Sequence, residues 1–262
     1  MPTLEELRLA YCQIPSLDSY KRFMFVGPHP DDIEYGCGAF ISSLKGKDKE
    51  ICYVIVTDGA AGTADPAITP EMMKMNREQE SLKAAAFMGV THVEFLDLED
   101  GGDYDTKDVL NRLIPLVLKY QPDIIFAPDP KLKTEVHPDH LKTGEAVRLL
   151  PQLVNHPIAL KRRGIDISGV RVFPNNITLA FYFTDDHNHV APVTMPNLDE
   201  KIEALMLHSS QMQDESTELL MTYFRLKALE AGKESETGLG EDFQVLIPIV
   251  QHVFAEGIHY NK

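Results

Sequence analysis

Residues 26–38 read VGPHPDDIEYGCG. The stretch places His29 just before two adjacent carboxylates, Asp31 and Asp32, with Pro28 and Pro30 stiffening the chain between them. A second stretch, residues 136–140, reads VHPDH and sets His137 and His140 on either side of Pro138 and Asp139. Histidine and carboxylate at such short spacing can hold a divalent metal and move protons beside it. Taken as ligands, His29, Asp32 and His140 form two imidazoles and one carboxylate, a catalytic zinc set with a fourth position open for water. Asp31 and His137 are then left beside the metal. A carboxylate there takes the proton from the bound water, and a second group stabilises what forms on the other side of a carbonyl. His137 and His140, three apart at a helix start, share a face, and Asp139 is expected to point elsewhere. Two alternatives stay open. The same donors describe the facial triad of a non-haem iron oxygenase. Asp31 and Asp32 as caps of the next helix would explain one carboxylate but not the paired HPD segments.

Both stretches follow apolar runs of strand character, Arg22–Val26 and Asp123–Ala127, and the rest of the chain keeps alternating strand and helix. Thr3-Leu4-Glu5-Glu6 reads as a capping box on a short first helix that ends near Pro15. Further strands are predicted at 51–57, 92–96, 177–184 and 243–250. Helices are predicted at 37–44, from Pro70 (capped by Thr69) to Gly89, from Thr106 as cap to Tyr120 with a bend at Pro115, and at 138–150, 199–209 and 217–231. This order implies βαβ units: an α/β, Rossmann-like, mostly parallel sheet with helices on both faces. No linker or fixed-period repeat divides it, so a single domain over 1–262 is expected, with residues 1–20 as a helical extension. Sites in such sheets form at the carboxyl ends of the strands, where both HPD segments fall.

Composition narrows the partners. The 262 residues are 44% hydrophobic and 25% charged, and the net charge is −15. That charge disfavours nucleic acid and anionic membrane, which need a positive face, and permits a neutral small molecule. The first residues carry Glu5 and Glu6 and no long apolar core, unlike a signal peptide. Apolar runs such as 123–127 and 245–250 are too short to span a bilayer. Three cysteines, Cys12, Cys37 and Cys52, with no CxxC, read as a reduced cytoplasmic protein.

PHPDD followed by HPDH resembles the LmbE/PIG-L-like family of zinc-dependent N-deacetylases, which act on N-acetylglucosamine-type groups. VTDGAAGTAD after the second strand, Arg77 and Glu80, FLDLEDG at 95–101, FAPDP at 126–130 and LHSSQ at 207–211 resemble family segments in family order. The resemblance runs from Arg22 to the last strand and is strongest to the diacetylchitobiose and N-acetylglucosamine deacetylase branch. It implies metal ligands at His29, Asp32 and His140, a general base at Asp31 and an oxyanion-assisting, protonated His137. It also implies substrate contacts at Arg77 and Asp100, with a helix-surface charge and a turn aspartate as the plainer alternatives. Zn2+ is the implied cofactor, another divalent ion remaining open, and a homo-oligomer is implied. Other outcomes are an amidase on a thiol-sugar conjugate or a sugar-binding member without turnover. One departure is that many members carry glutamate directly after the two aspartates, whereas here Ile33 intervenes before Glu34.

Smaller signals have bland readings. Gly36-Cys37-Gly38 lacks the third glycine of a dinucleotide loop and reads as close helix–strand packing, with Cys37 buried. His187 and His189 read as a polar loop or cleft lining, and His208 as a structural hydrogen-bonding group. The methionines of residues 72–75 read as helix packing or a subunit contact. His252, after the last strand, is a candidate contribution to a neighbouring subunit's site.

Overall fold

The computed structural model describes residues 1–168, 177–212 and 216–252, together with residues 254 and 257. Five strands, β1 (Arg22–Gly27), β2 (Glu50–Thr57), β3 (His92–Leu98), β4 (Ile124–Pro128) and β5 (Thr178–Tyr182), run parallel in the order β3-β2-β1-β4-β5. Two more, β6 (His189–Pro192) and β7 (Gly240–Leu246), extend the sheet past β5, and both of their pairings are antiparallel.

Alternation along the buried strands sends side chains to two helical layers. Phe23, Phe25, Tyr53 and Ile55 face α2 (Asp32–Leu44), α3 (Pro70–Phe87) and α8 (Met195–Met206). Met24, Val26, Val54 and Val56 face α4 (Thr106–Tyr120), α5 (Pro138–Leu149), α6 (Pro151–Val154) and α7 (Pro157–Arg162). A satellite cluster under α9 (Ser216–Ala231) joins Phe224 and Ala228 to Leu198 and Leu205. Ahead of the sheet, α1 (Leu4–Tyr11) starts at the expected Thr3–Glu6 capping box and buries no residue fully.

Several boundaries differ from the sequence reading. Helix α2 starts at Asp32, not Cys37, because Gly36 does not break it. A Cβ on Gly36 would sit 2.3 Å from the Tyr182 ring, so that glycine lets the helix lie close on β5, as the packing reading of Gly36–Gly38 anticipated. Helix α4 is capped by Asp105, whose carboxylate pairs reciprocally with Asp108, and not by Thr106; Pro115 lies inside it. Helix α8 begins at Met195, earlier than expected, on a Thr194–Asn197 capping box. The last strand is β7 at 240–246, since Pro248 turns the following residues into a short 3-10 segment. The region of His187 and His189 contains the short strand β6 as well as a loop, and α6 and α7 were not anticipated. No helix among the described residues is long and apolar enough to cross a membrane.

The parallel order leaves β1 and β4 as neighbours whose chains depart in opposite directions, β1 toward β2 and β4 toward β5. That is the topological switch point at which doubly wound sheets open a crevice at their carboxyl edge. Helix α5 is set tightly onto the end of β4 there: a Cβ on Gly144 would sit 2.4 Å from the Pro128 carbonyl oxygen. Gly144→Ala should therefore destabilise the fold by about 1–3 kcal/mol through overpacking. Urea unfolding would read this, and an unchanged midpoint would show that α5 is free to shift.

Candidate active site

The segment leaving β1 turns at Pro28, His29 and Pro30 and enters α2 at Asp32. Asp32 Oδ2 accepts the His29 backbone N–H at 2.9 Å, lies 3.0 Å from His29 Nδ1 and stands 3.4 Å from His140 Nε2. Donor atoms of His29, Asp32 and His140 all fall within 4.8 Å of one another. The three residues read from the two HPD segments thus meet at the switch point, two from the end of β1 and one from the first turn of α5.

Each imidazole has a carboxylate behind it. His29 Nε2 faces Asp100 Oδ1 at 3.2 Å and Asp139 Oδ2 at 3.4 Å, and His140 Nδ1 faces Glu135 Oε2 at 3.1 Å. Such partners fix the ring orientation and tautomer of a metal-binding histidine. Asp139 is fully buried and also accepts the Gly101 backbone N–H at 2.9 Å. Contrary to expectation, it does not point away from His137: its carboxylate lies at the back of the site, behind His29 and within 4.8 Å of a His137 ring nitrogen. Asp139 and Glu135 were missed as site residues. Glu135 carries no periodic signal, and Asp139 becomes informative only when the start of α5 is brought against the end of β1.

Asp31 occupies the N-cap position of α2 without capping it: its side chain makes no bond to the helix start. Its φ of 156° and ψ of −27° lie where L residues rarely sit, a strain on the order of 1–3 kcal/mol. Asp31 Oδ2 accepts from an Arg77 guanidinium nitrogen at 3.0 Å, and Arg77 also donates to the Pro30 and Gly59 carbonyls, both at 3.3 Å. Arg77 is only 4% exposed, so the surface-charge alternative does not hold, and Asp31, Pro30 and Gly59 are its partners. Asp100, read as a sugar-hydroxyl partner, engages both oxygens within the protein, one on His29 and the other accepting the Ala61 N–H at 3.2 Å.

His137 is exposed at the mouth, its ring 4.6 Å from that of His29 and 5.2 Å from that of His140. Its Nδ1 accepts the Asp139 backbone N–H at 3.3 Å, which leaves the single ring proton on Nε2. Burial together with the nearby His29 and His140 lowers its pKa, which disfavours the protonated ring of the sequence reading. His252 is exposed at the other end of the sheet, next to Gln251, which donates to the carbonyls of Ile177 and Leu246. Within one chain it does not reach the site.

The electrostatics suit a cation. Burial opposes charge on His29, yet Asp100, Asp139 and Asp32 outweigh it and push its pKa up to about 12. Burial would raise Asp32, but His140 and His29 hold it well below the usual carboxylate range. Asp31 behaves oppositely: burial raises it to about 6, against the pull of Arg77. Asp31, Asp32, Asp100, Glu135 and Asp139 thus crowd around His29, His140 and one guanidinium. Converging nitrogen and oxygen donors, each imidazole backed by a carboxylate, fit a divalent metal.

Comparison with known proteins agrees with this arrangement. Residues 24–150 match the family model described as PIG-L: GlcNAc-PI de-N-acetylase. The matched stretch takes in both HPD segments. The chain is 28% identical over 239 residues to the diacetylchitobiose deacetylase of Thermococcus kodakarensis, covering 89% of this chain and 86% of that one. The structure of the N,N'-diacetylchitobiose deacetylase from Pyrococcus horikoshii, solved with an inhibitor, superposes with a TM-score of 0.87 at 26% identity over 98% of both chains. GalB, the 4-carboxy-2-hydroxymuconate hydratase of Pseudomonas putida, shares the fold at 18% identity, with a TM-score of 0.69 over 87% of this chain and 97% of that one. The shared fold alone therefore does not decide the chemistry; the site residues must.

Two outcomes follow for this site. Asp139→Asn should weaken zinc binding by roughly 10–100-fold in calorimetry, since it removes the carboxylate behind His29; unchanged affinity would exclude that role. In the metal-free protein the Asp31 carboxyl should titrate at about 6 by carboxyl-carbon NMR, and Arg77→Met should raise that midpoint, because Arg77 is what opposes the burial.

Proposed function

We propose that this chain removes the N-acetyl group from an N-acetylglucosamine-type sugar, such as N-acetylglucosamine or diacetylchitobiose, releasing acetate and an amino sugar. The observation that carries the reading is the meeting of His29, Asp32 and His140 with a spare buried carboxylate, Asp31, held beside them. Similarity to a diacetylchitobiose deacetylase over 89% of the chain supports the substrate class. An adjacent spare carboxylate suits hydrolysis better than oxygen chemistry, which weighs against the iron-oxygenase alternative.

His29 Nδ1, Asp32 Oδ2 and His140 Nε2 would hold the ion, with zinc as the proposed metal. A bound zinc would polarise the amide carbonyl and lower the pKa of a coordinated water. Asp31 takes the proton of the attacking water as the water oxygen bonds to the carbonyl carbon. Arg77 favours the ionised form of Asp31 before that transfer. His137 Nε2–H donates to the carbonyl oxygen as charge gathers there. The C–N bond then breaks, and the proton held at Asp31 passes to the leaving nitrogen. Asp100 and Asp139 keep the His29 ring in the orientation that presents Nδ1. This reading moves Arg77 and Asp100 from substrate contact to support of Asp31 and His29.

We also propose a cytoplasmic, homo-oligomeric enzyme. Cys37 and Cys52 are buried free thiols, as suits a reducing compartment, and only a second copy could bring His252 near a site.

The zinc-loaded protein should release acetate from N-acetylglucosamine, diacetylchitobiose or both, followed by NMR. Asp31→Asn should lower turnover by a factor on the order of 100 or more while keeping its zinc. His140→Ala should lose the metal. No acetate from either sugar, with zinc bound, would turn the reading toward a conjugated amino sugar or a non-catalytic role.

A further inference from the structure

Glu34 and the 207–211 segment LHSSQ have no part in the chemistry above, yet both are drawn to it. His208 is fully buried, and neither ring nitrogen has a hydrogen-bond partner; its Nε2 stands 3.5 Å from Glu34 Oε2. Glu34 is 1% exposed, with its other oxygen unpartnered, and the Tyr53 hydroxyl is buried beside it. Groups of this kind cost stability in an interior that an apolar side chain would fill more cheaply. Their presence calls for another reason.

The neighbours of His208 supply one. Ser209 Oγ and Ser210 N–H donate to Glu80 Oε1, each at 2.8 Å, and Ser210 Oγ donates to Glu80 Oε2 at 2.7 Å. Gln211 Nε2 donates to the Gly62 carbonyl at 2.9 Å, and the Tyr35 hydroxyl reaches Met212 Sδ at 3.6 Å. One turn therefore grips three pieces: the first turn of α2 through Glu34 and Tyr35, helix α3 through Glu80, and the loop after β2 through Gly62. Those same pieces carry Asp31, Arg77 and the Gly59 carbonyl that receives Arg77.

We infer that His208 is a positioning residue: with Glu34 it clips the first turn of α2 to the turn held by α3, and so keeps the strained Asp31 carboxylate on Arg77. Two features favour this over simple packing. Asp31 has a backbone conformation that only surrounding contacts can maintain. And Glu80 and Arg77, three apart on α3, place the clip and the Asp31 contact on one helix face. The inference rests on the reading of Asp31 as the base.

The test compares His208→Phe, which fills the space without a polar atom, with His208→Gln, which keeps a donor for Glu34. His187→Ala, at an exposed histidine, is the control. In zinc-loaded protein, His208→Phe should lower kcat for the acetylated sugar by about tenfold or more with KM little changed, and His208→Gln should restore most of it. Ser210→Ala loosens the same clip from the solvent side and should lower kcat in the same direction, which keeps the test alive if His208→Phe does not fold. A second readout is the visible ligand-field spectrum of the cobalt-loaded proteins at fixed pH. It should shift in His208→Phe and return in His208→Gln, whatever the substrate. A spectral shift in a protein that releases no acetate would support the clip and remove the deacetylase reading. Normal kcat and spectrum in His208→Phe, with only a lower Tm, would overturn the inference and leave packing.

Discussion

One oxygen atom, Asp32 Oδ2, joins the two halves of the crevice. It accepts the His29 N–H, touches the His29 ring and reaches the His140 ring, so the exit of β1 and the start of α5 converge on a single carboxylate. Its geometry depends on where the sheet places those two ends. β1 and β4 are hydrogen-bonded neighbours, and Gly144 lets α5 sit against the Pro128 carbonyl. The layered core, with Phe25 on Phe126 on one face and Met24 and Ile125 on the other, is what makes that spacing rigid.

The same convergence concentrates charge that a fold would otherwise avoid. Asp31, Asp32, Asp100, Glu135 and Asp139 lie within reach of one another's field, in a chain already at −15. In the metal-free protein the imidazoles carry part of the balance, which is why His29 is pushed so far up and Asp32 so far down. A divalent cation would take over that role and free the rings to act as neutral ligands. Asp31 is the exception, since burial favours its protonated form. Arg77 offsets part of that penalty, and a carboxylate whose pKa is raised toward neutrality takes a proton from water more readily.

Much of this was legible in the sequence. The HPD segments named all three candidate ligands and the two groups beside them, because those roles depend on residue type and on position just past a strand. The alternation of strand and helix gave the parallel sheet, since buried parallel strands read as continuous apolar runs. What stayed hidden required tertiary contact. Asp100 meets His29 only once β3 is folded next to β1 through β2, Asp139 only once β4 and α5 lie beside β1, and Arg77 looks like a surface charge until α3 is laid over the Gly59 loop. The antiparallel strands β6 and β7 were blurred by Pro192, Pro248 and short length. The start of α2 was misplaced because two glycines that serve packing look locally like helix breakers.

The departure at Ile33 follows from the same geometry. Ile33 is fully buried in the core cluster under α2, among Phe25, Phe126 and Tyr182. An acid at that position would be set into an apolar layer with no partner, a cost that burial does not return. One residue on, about 100° around the helix, Glu34 faces His208 and Tyr53 instead, a direction in which a buried carboxylate has polar neighbours. Moving the acid by one residue therefore does not shift it along one surface. It exchanges an environment, from the sheet to the 207–211 turn, and couples the helix that carries Asp31 to the helix that carries Arg77.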